Sequence, residues 1–256
     1  MSIVTWVDKG ELQRAAAARF LPTDVLLDIG CGIMPQTFVT PAVHICAEPF
    51  EEYVQVLQAK INGSADRSYV ILKNTWSEVL DILPARSVDT VVLADVIEHL
   101  EKDIAADLLR RTQLLARRQV LIFTPLGFLP QSHPDGTDAW GLGGGAWQEH
   151  KSGWVPDDFG EGWEFVGTRQ YYFQDNMGRP FEEPFGAFWA IRTSCSKADE
   201  MQLEKRALGP RFSVVALALN YSLLVRQTLN ALELWARFRG RLSGAKQSVG
   251  RWLGGR

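Results

Sequence analysis

Cysteine is scarce in this chain of 256 residues: there are three, Cys31, Cys46 and Cys195, none spaced as metal ligands or as a CxxC pair. A disulfide scaffold and a zinc ribbon are excluded on that ground, and reduced thiols in a cytoplasmic setting are expected. Histidine is almost as rare, with four residues. Glu98, His99, His133 and His150 follow no recognisable ligand spacing, so no metal site is expected. Met1 to Leu12 holds no apolar run behind a basic start, so no signal peptide is expected. The uncharged stretch Phe212–Val225 has fourteen residues. As a helix it spans about 21 Å, short of the roughly 30 Å of a hydrocarbon core, so a bilayer crossing is not expected. No internal repeat is visible.

What is present is ordinary in amount and uneven in placement. Hydrophobic residues make up 46% and charged residues 22%, as in a soluble globular protein long enough to bury a full core. The net charge of −3 conceals a division. From Lys205 onward ten Lys/Arg face one acid, Glu233, giving +9, so residues 1–204 carry −12. An acidic body argues against nucleic acid as a partner, because that needs a basic footprint on the folded domain. The two parts read as a domain over 1–204 and a basic, apolar, helical tail over 205–256. In the tail, apolar residues through Leu229, Leu232, Trp235 and Phe238 precede clustered cations. That order suits a helix lying on an anionic membrane surface, which would place the protein peripherally on the inner face of the membrane. Packing of the tail on the acidic body or on a second subunit is the alternative.

The body is organised around Val25-Leu26-Leu27-Asp28-Ile29-Gly30-Cys31-Gly32-Ile33-Met34-Pro35. Its first half is a continuous apolar run, as a strand buried on both faces of a parallel sheet requires. Two glycines one residue apart then form a turn that lets backbone approach a ligand. A second strand, 42–47, is closed by Glu48, twenty residues after Asp28. That is where nucleotide-binding βαβ folds place the acid that holds two ribose hydroxyls. Pro35 and Pro41 reduce the connection between these strands to a turn. Helices over 8–20, 50–60, 77–83 (from a serine cap) and about 101–117 alternate with strands 69–72, 87–94 and 119–123. Alternation of this kind implies parallel pairing and right-handed crossovers. Asn74 is placed to meet an adenine edge and Trp76 to cover the ring, although a core role suits Trp76 as well. Strands 163–173 and 186–192 end the body as a hairpin.

Between strand 119–123 and this hairpin, the loop 124–159 carries Gly141-Leu142-Gly143-Gly144-Gly145 and the anchors Trp140, Trp147, His150 and Trp154. Aromatic burial offsets the entropy of ordering such a segment, so it reads as a lid over a bound ligand. His150 is the candidate general base, with a purely structural imidazole as the equal alternative. His99, beside Glu98 at a helix start, supports the turn or lines the cofactor pocket.

The residues Leu27-Asp28-Ile29-Gly30-Cys31-Gly32, Glu48 at the end of the second strand, and Val88 to Leu100 together resemble class I S-adenosylmethionine-dependent methyltransferases, over roughly residues 20–195. The loop is similar to that of bacterial members of mostly unassigned substrate, some associated with envelope or polysaccharide biosynthesis. The resemblance implies an α/β, three-layer Rossmann-like sheet of order 3-2-1-4-5-7-6, counted from the Val25 strand, with the last strand antiparallel. It also implies that Gly30 and Gly32 lie against the methionine part of the cofactor, S-adenosylmethionine, and that Asp28 orients its ammonium. Glu48 would then hold the ribose, Asn74 would stand near the adenine, and Asp95 beside the methionine moiety. The implied activity is methyl transfer to an O or N acceptor on a small molecule or an envelope or glycan precursor. Met34 stands where the family's third glycine falls, which bears on the shape of the methionine pocket. Two other classes fit parts of the pattern. One is a non-catalytic binding or scaffold protein of the same fold at a membrane. The other is an NAD-type oxidoreductase, disfavoured by Pro35 where a dinucleotide turn needs its third small residue.

Overall fold

The computed structural model describes residues 2–193, so the tail at 205–256 and everything expected of it lie outside the described residues. The elements run β1 (Val4–Trp6), α1 (Lys9–Ala17), β2 (Val25–Ile29), β3 (Val43–Ala47), α2 (Glu51–Ile61), β4 (Ser68–Leu72), α3 (Trp76–Ile82), β5 (Val88–Ala94), α4 (Lys102–Leu115), β6 (Ala116–Leu126), β7 (Glu164–Gln174) and β8 (Pro180–Thr193). They form one sheet in the order β1-β7-β8-β6-β5-β2-β3-β4. Counted from β2, this is the expected 3-2-1-4-5-7-6 order, with β8 antiparallel to both its neighbours.

One strand is extra. Val4–Trp6 pairs in parallel with β7 and extends the sheet past its expected edge. Three residues carry too little periodicity to announce a strand. What holds this one is tertiary: the Trp6 ring lies over Gly167, where a Cβ would come within 2.8 Å of it.

Strand β5 shows why the centre of the sheet is apolar throughout. Its side chains alternate between faces, and six of its seven residues are buried. Val91 and Leu93 join the cluster that includes Val79 of α3 and Leu108 of α4. Val92 joins the opposite cluster with Leu12 and Ala16 of α1. In α4 the buried residues Ala105, Leu108, Leu109, Thr112 and Leu115 recur at helical spacing along one stripe. At the amino ends of the strands, Thr23, Thr90 and Gln119 form a buried hydrogen-bonded group. The Asp89 carboxylate there accepts from the backbone N–H groups of Asp24 and Val25.

Boundaries differ from expectation for local reasons. Helix α3 is capped by Thr75, not by a serine: its hydroxyl accepts from Glu78 N–H, and the Glu78 carboxylate accepts from Thr75 N–H at 2.8 Å. Ser77 lies inside the first turn. Strand β8 begins at Pro180, earlier than Gly186, because its first residues extend beyond β6 and pair only with β7. An edge position of this kind tolerates proline. Between β2 and β3 there is no helix, as the two prolines required.

Candidate active site

Register alone assembles the site. Ile29 pairs with Ala47 on one side and Leu93 on the other, so the residues that follow β2, β3 and β5 emerge next to one another. They are Gly30, Glu48 and Asp95. Strand order reverses between β2 and β5, the switch point outside whose carboxyl ends open α/β sheets bind ligands.

Gly30 and Gly32 take φ of 67° and 59°, a region that a Cβ makes costly. A Cβ on Gly30 would stand 2.9 Å from a Val96 methyl, and one on Gly32 would stand 2.8 Å from the Trp140 ring. Glu48 braces this turn from β3. Its Oε2 accepts from Gly32 N–H at 3.0 Å and its Oε1 from Phe50 N–H at 2.9 Å. Burial pushes the Glu48 carboxyl above its usual range, while the two backbone donors pull against that rise. Asp95 also has positive φ, 52°, an outlier that an aspartate tolerates better than most residues.

These residues line a cleft whose empty space, about 720 Å³, includes part of the open solvent at its mouth. Its wall is mostly apolar: Ile29, Ala47, Pro49, Trp76, Val96, Leu100 and Trp147, with Glu48, Thr75, Asp95, His99 and Gln148 as polar groups.

Of the residues singled out in the sequence, Gly30, Gly32, Glu48 and Asp95 meet in this wall, and Asn74, Asp28 and His150 are not part of it. Asn74 stands beside it, its two successors Thr75 and Trp76 forming the surface instead. Asp28 is buried behind the turn, where Oδ2 accepts from Gln36 N–H at 2.9 Å and pairs with His44 Nε2 at 3.0 Å. Burial opposes charge on His44, but the Asp28 hydrogen bond and the Cys46 thiol outweigh it and raise the imidazole to about 9. Cys46 is lowered to about 6 by hydrogen bonding with Cys31, against the effect of burial. His150 is buried, its Nδ1 in a 2.6 Å hydrogen bond with the Leu129 carbonyl. His150, expected either as a base or as a structural imidazole, lies behind the cavity wall, in which the imidazole is that of His99.

The two rings are nonetheless neighbours, with centroids 4.9 Å apart. Burial and the nearby His150 hold His99 down at about 4. Below them the Glu98 carboxyl is buried; Oε2 accepts from the Thr124 hydroxyl at 3.1 Å, and Oε1 has no partner among the described residues. Burial and the adjacent Asp95 charge raise Glu98 well above the carboxylate range. Burial of its carboxylate likewise raises Asp95 to about 6, although the residue keeps an exposed face that moderates the effect. The Tyr172 hydroxyl donates to Asp95 at 3.3 Å. Glu98, His99 and His150 each place a potential ligand atom within 4.8 Å of the others, and so do Asp28, His44 and Cys46. The absence of ligand spacing in the sequence therefore did not exclude such groupings: a long loop and a strand pairing, not local sequence, bring them together.

That loop is folded onto the body. Asp138 gathers it, Oδ1 accepting from Trp140 and Leu142 N–H, and Oδ2 from Gly144 N–H and, at 2.5 Å, the Tyr53 hydroxyl of α2. Glu52 accepts from Gly143 N–H at 3.0 Å. Further on, Lys151 and Ser152 N–H donate to the Glu98 carbonyl, and the Trp154 indole donates to Ile97. Tyr53 and Gln148 reach the cavity through these contacts. Tyr53 had no signal in the sequence, since a helical tyrosine is indistinguishable from core without the loop that meets it.

Together these elements define a Rossmann-like fold with a cleft at the carboxyl ends of its central strands. No family model matches the chain, and no curated protein matches it. Solved structures do. The cyclopropane synthase MmaA2 from Mycobacterium tuberculosis is 22% identical over 45% of this chain, TM-score 0.37, and the chain spans only 42% of that protein. Magnesium protoporphyrin IX methyltransferase (ChlM) from Synechocystis PCC 6803, with bound SAH, is 16% identical over 70% of this chain and 78% of its own, TM-score 0.43. TehB from Haemophilus influenzae is 13% identical over 70% and 61%, TM-score 0.45.

Proposed function

We propose that the chain is an S-adenosylmethionine-dependent methyltransferase acting on an O or N acceptor of a small molecule or an envelope or glycan precursor. The observation that carries this reading is the meeting of Gly30, Gly32, Glu48 and Asp95 at the switch point, in one cavity with an apolar wall. A rival dinucleotide needs a helix N-terminus after the glycine turn to receive its pyrophosphate. Here residues 30–42 contain no helix. A sulfonium cofactor carries no phosphate and has no use for one.

The cofactor supplies a methyl group on a positively charged sulfur, a leaving group that needs no acid. Glu48 keeps unused lone pairs for two ribose hydroxyls after bracing the turn, since a carboxylate offers about four acceptor sites. Gly30 and Gly32 admit the cofactor against bare backbone. Asp95 faces the cavity as a carboxylate near neutral pH and attracts the cofactor's positive charge. Trp76 offers a flat apolar surface. Trp147 and the folded loop exclude water and hold the acceptor in line, which can supply several kcal/mol through positioning.

Calorimetric titration tests the reading. Binding of S-adenosylmethionine and its demethylated product, with none of NAD, is the expected result. Binding of NAD in preference would overturn it. Mass increase across extracted small metabolites, glycans and lipids would then identify the acceptor.

A further inference from the structure

We infer that Glu98, His99 and His150 form a binding site for one divalent transition metal ion of the zinc type at the edge of the cavity. The argument begins with the two imidazoles. His99 Nδ1 is 3.2 Å from the Glu149 carbonyl and His150 Nδ1 is 2.6 Å from the Leu129 carbonyl. A carbonyl only accepts, so each Nδ1 carries the hydrogen, and in the neutral ring each Nε2 keeps a lone pair, although the Asp95 backbone carbonyl also lies near the His99 ring. Orientation of a ring by a backbone carbonyl on its far nitrogen is the usual support of a metal-ligating histidine.

The third ligand gives the independent observation. Glu98 is 2% exposed, yet its Oε1 has no hydrogen-bond partner among the described residues. Leaving such an oxygen unmatched is costly, and a cation removes the cost. Neither imidazole hydrogen-bonds to that carboxyl, so the three groups converge without satisfying one another. A ligand atom from each lies within 4.8 Å of the rest. The neighbouring Asp95 carboxyl adds negative charge and contacts the Glu98 carboxyl, so the two share a proton that a bound cation would displace.

The ligands also sit on firm supports. Glu98 and His99 belong to the 3₁₀ turn Ile97–His99. The segment carrying His150 is stitched to that turn by Lys151 and Ser152 N–H on the Glu98 carbonyl, at 2.7 and 3.1 Å, and by Ser152 Oγ on Ile97. Two imidazole nitrogens and one carboxylate oxygen suit zinc, cobalt or ferrous iron, whereas magnesium and calcium prefer an all-oxygen set. Three protein ligands leave a position open, and His99 borders the cavity. An oxygen donor of a pocket ligand would complete the sphere. Only that last use rests on the methyl-transfer reading; the metal site stands without it. The cluster of Asp28, His44 and Cys46 is unlike this one, because Asp28 and His44 already hydrogen-bond each other and the group lies wholly inside.

Full-length protein stripped with chelator should bind one equivalent of Co²⁺ with visible ligand-field absorption, displaced by Zn²⁺, and should melt at a higher temperature with either ion. Glu98→Gln and His150→Gln should each weaken Co²⁺ at least about tenfold, while His133→Gln should not. Both substitutions keep size and polarity, and melting of the metal-free variants checks that they fold. Co²⁺ binding that survives both substitutions, no saturable binding, or equal affinity for Mg²⁺ would each overturn the inference. Titration of S-adenosylmethionine into the stripped protein is read separately, so failure of the cofactor reading and failure of the metal site give different results.

Discussion

At the scale of single residues, Asp28 and Glu48 have separate duties despite their symmetrical positions at the ends of neighbouring strands. Glu48 faces the cavity, so Glu48→Ala should weaken S-adenosylmethionine at least about tenfold by calorimetry, the size expected when charge-assisted hydrogen bonds are lost. Asp28 faces inward. Asp28→Ala would strand the buried His44 and Gln36 N–H, and should cost about 3 kcal/mol in denaturant melts. The pair also predicts a pH dependence. His44 has its pKa raised from 6.5 to about 9 in the folded state. Its contribution is fully present below the unfolded value and is lost as pH rises through the folded one. His44 should therefore contribute a stability that falls between about pH 6.5 and 9, opposed over that range by Cys46, whose lowered pKa contributes a rising one, and His44→Gln should remove the falling part. A slope unchanged in His44→Gln would mean that His44 is not the titrating group. Glu48 was legible because its distance from the glycine turn is set by one strand, one connection and another strand. The partner of Asp28 was not, since His44 is an apolar-strand histidine until pairing of β3 with β2 brings its ring against Asp28.

Among the elements, the central strands were the most legible, since burial on both faces leaves a continuous apolar run. Short or edge pieces were not: β1 is held by Trp6 on Gly167, and the start of β8 by pairing on one side only. The loop was legible as an ordered segment from its tryptophans, but its anchoring was not, because Tyr53 on α2 lies 85 residues before its partner Asp138. Gly144 shows how tight that anchoring is. A Cβ there would lie 1.9 Å from the Tyr53 hydroxyl and 2.6 Å from Asp138 Oδ2. Gly144→Ala must break the Tyr53–Asp138 hydrogen bond, and should speed hydrogen exchange through residues 138–148 and weaken cofactor binding by way of Trp147. Tyr53→Phe removes the same hydrogen bond without adding bulk and should reproduce the faster exchange. An unaltered loop in both variants would show that other contacts hold it. On the far side of the cavity, Thr75→Ala removes a reciprocal cap and should cost about 1 kcal/mol.

At the scale of the whole molecule, the uneven distribution of charge predicts which surfaces the protein should meet. No helix among the described residues is long and apolar enough to cross a membrane. The body at 1–204 carries −12 and is repelled by an anionic surface, while 205–256 carries +9. Near an anionic surface each cation contributes about 1 kcal/mol, and screening shortens that attraction to about 8 Å at physiological salt. The cations Arg237, Arg239, Arg241, Lys246, Arg251 and Arg256 follow apolar residues that can enter the interface. Full-length protein should therefore co-sediment with vesicles containing anionic lipid at low salt, and high salt should release most of it. A chain ending at residue 204 should remain in the supernatant, as should the full chain with neutral vesicles. Should the full chain ignore anionic vesicles at low salt, the tail's charge must be answered by the acidic body or by another chain. Its Arg residues would then shift the melting temperature of the body when replaced, which membrane attachment alone would not do.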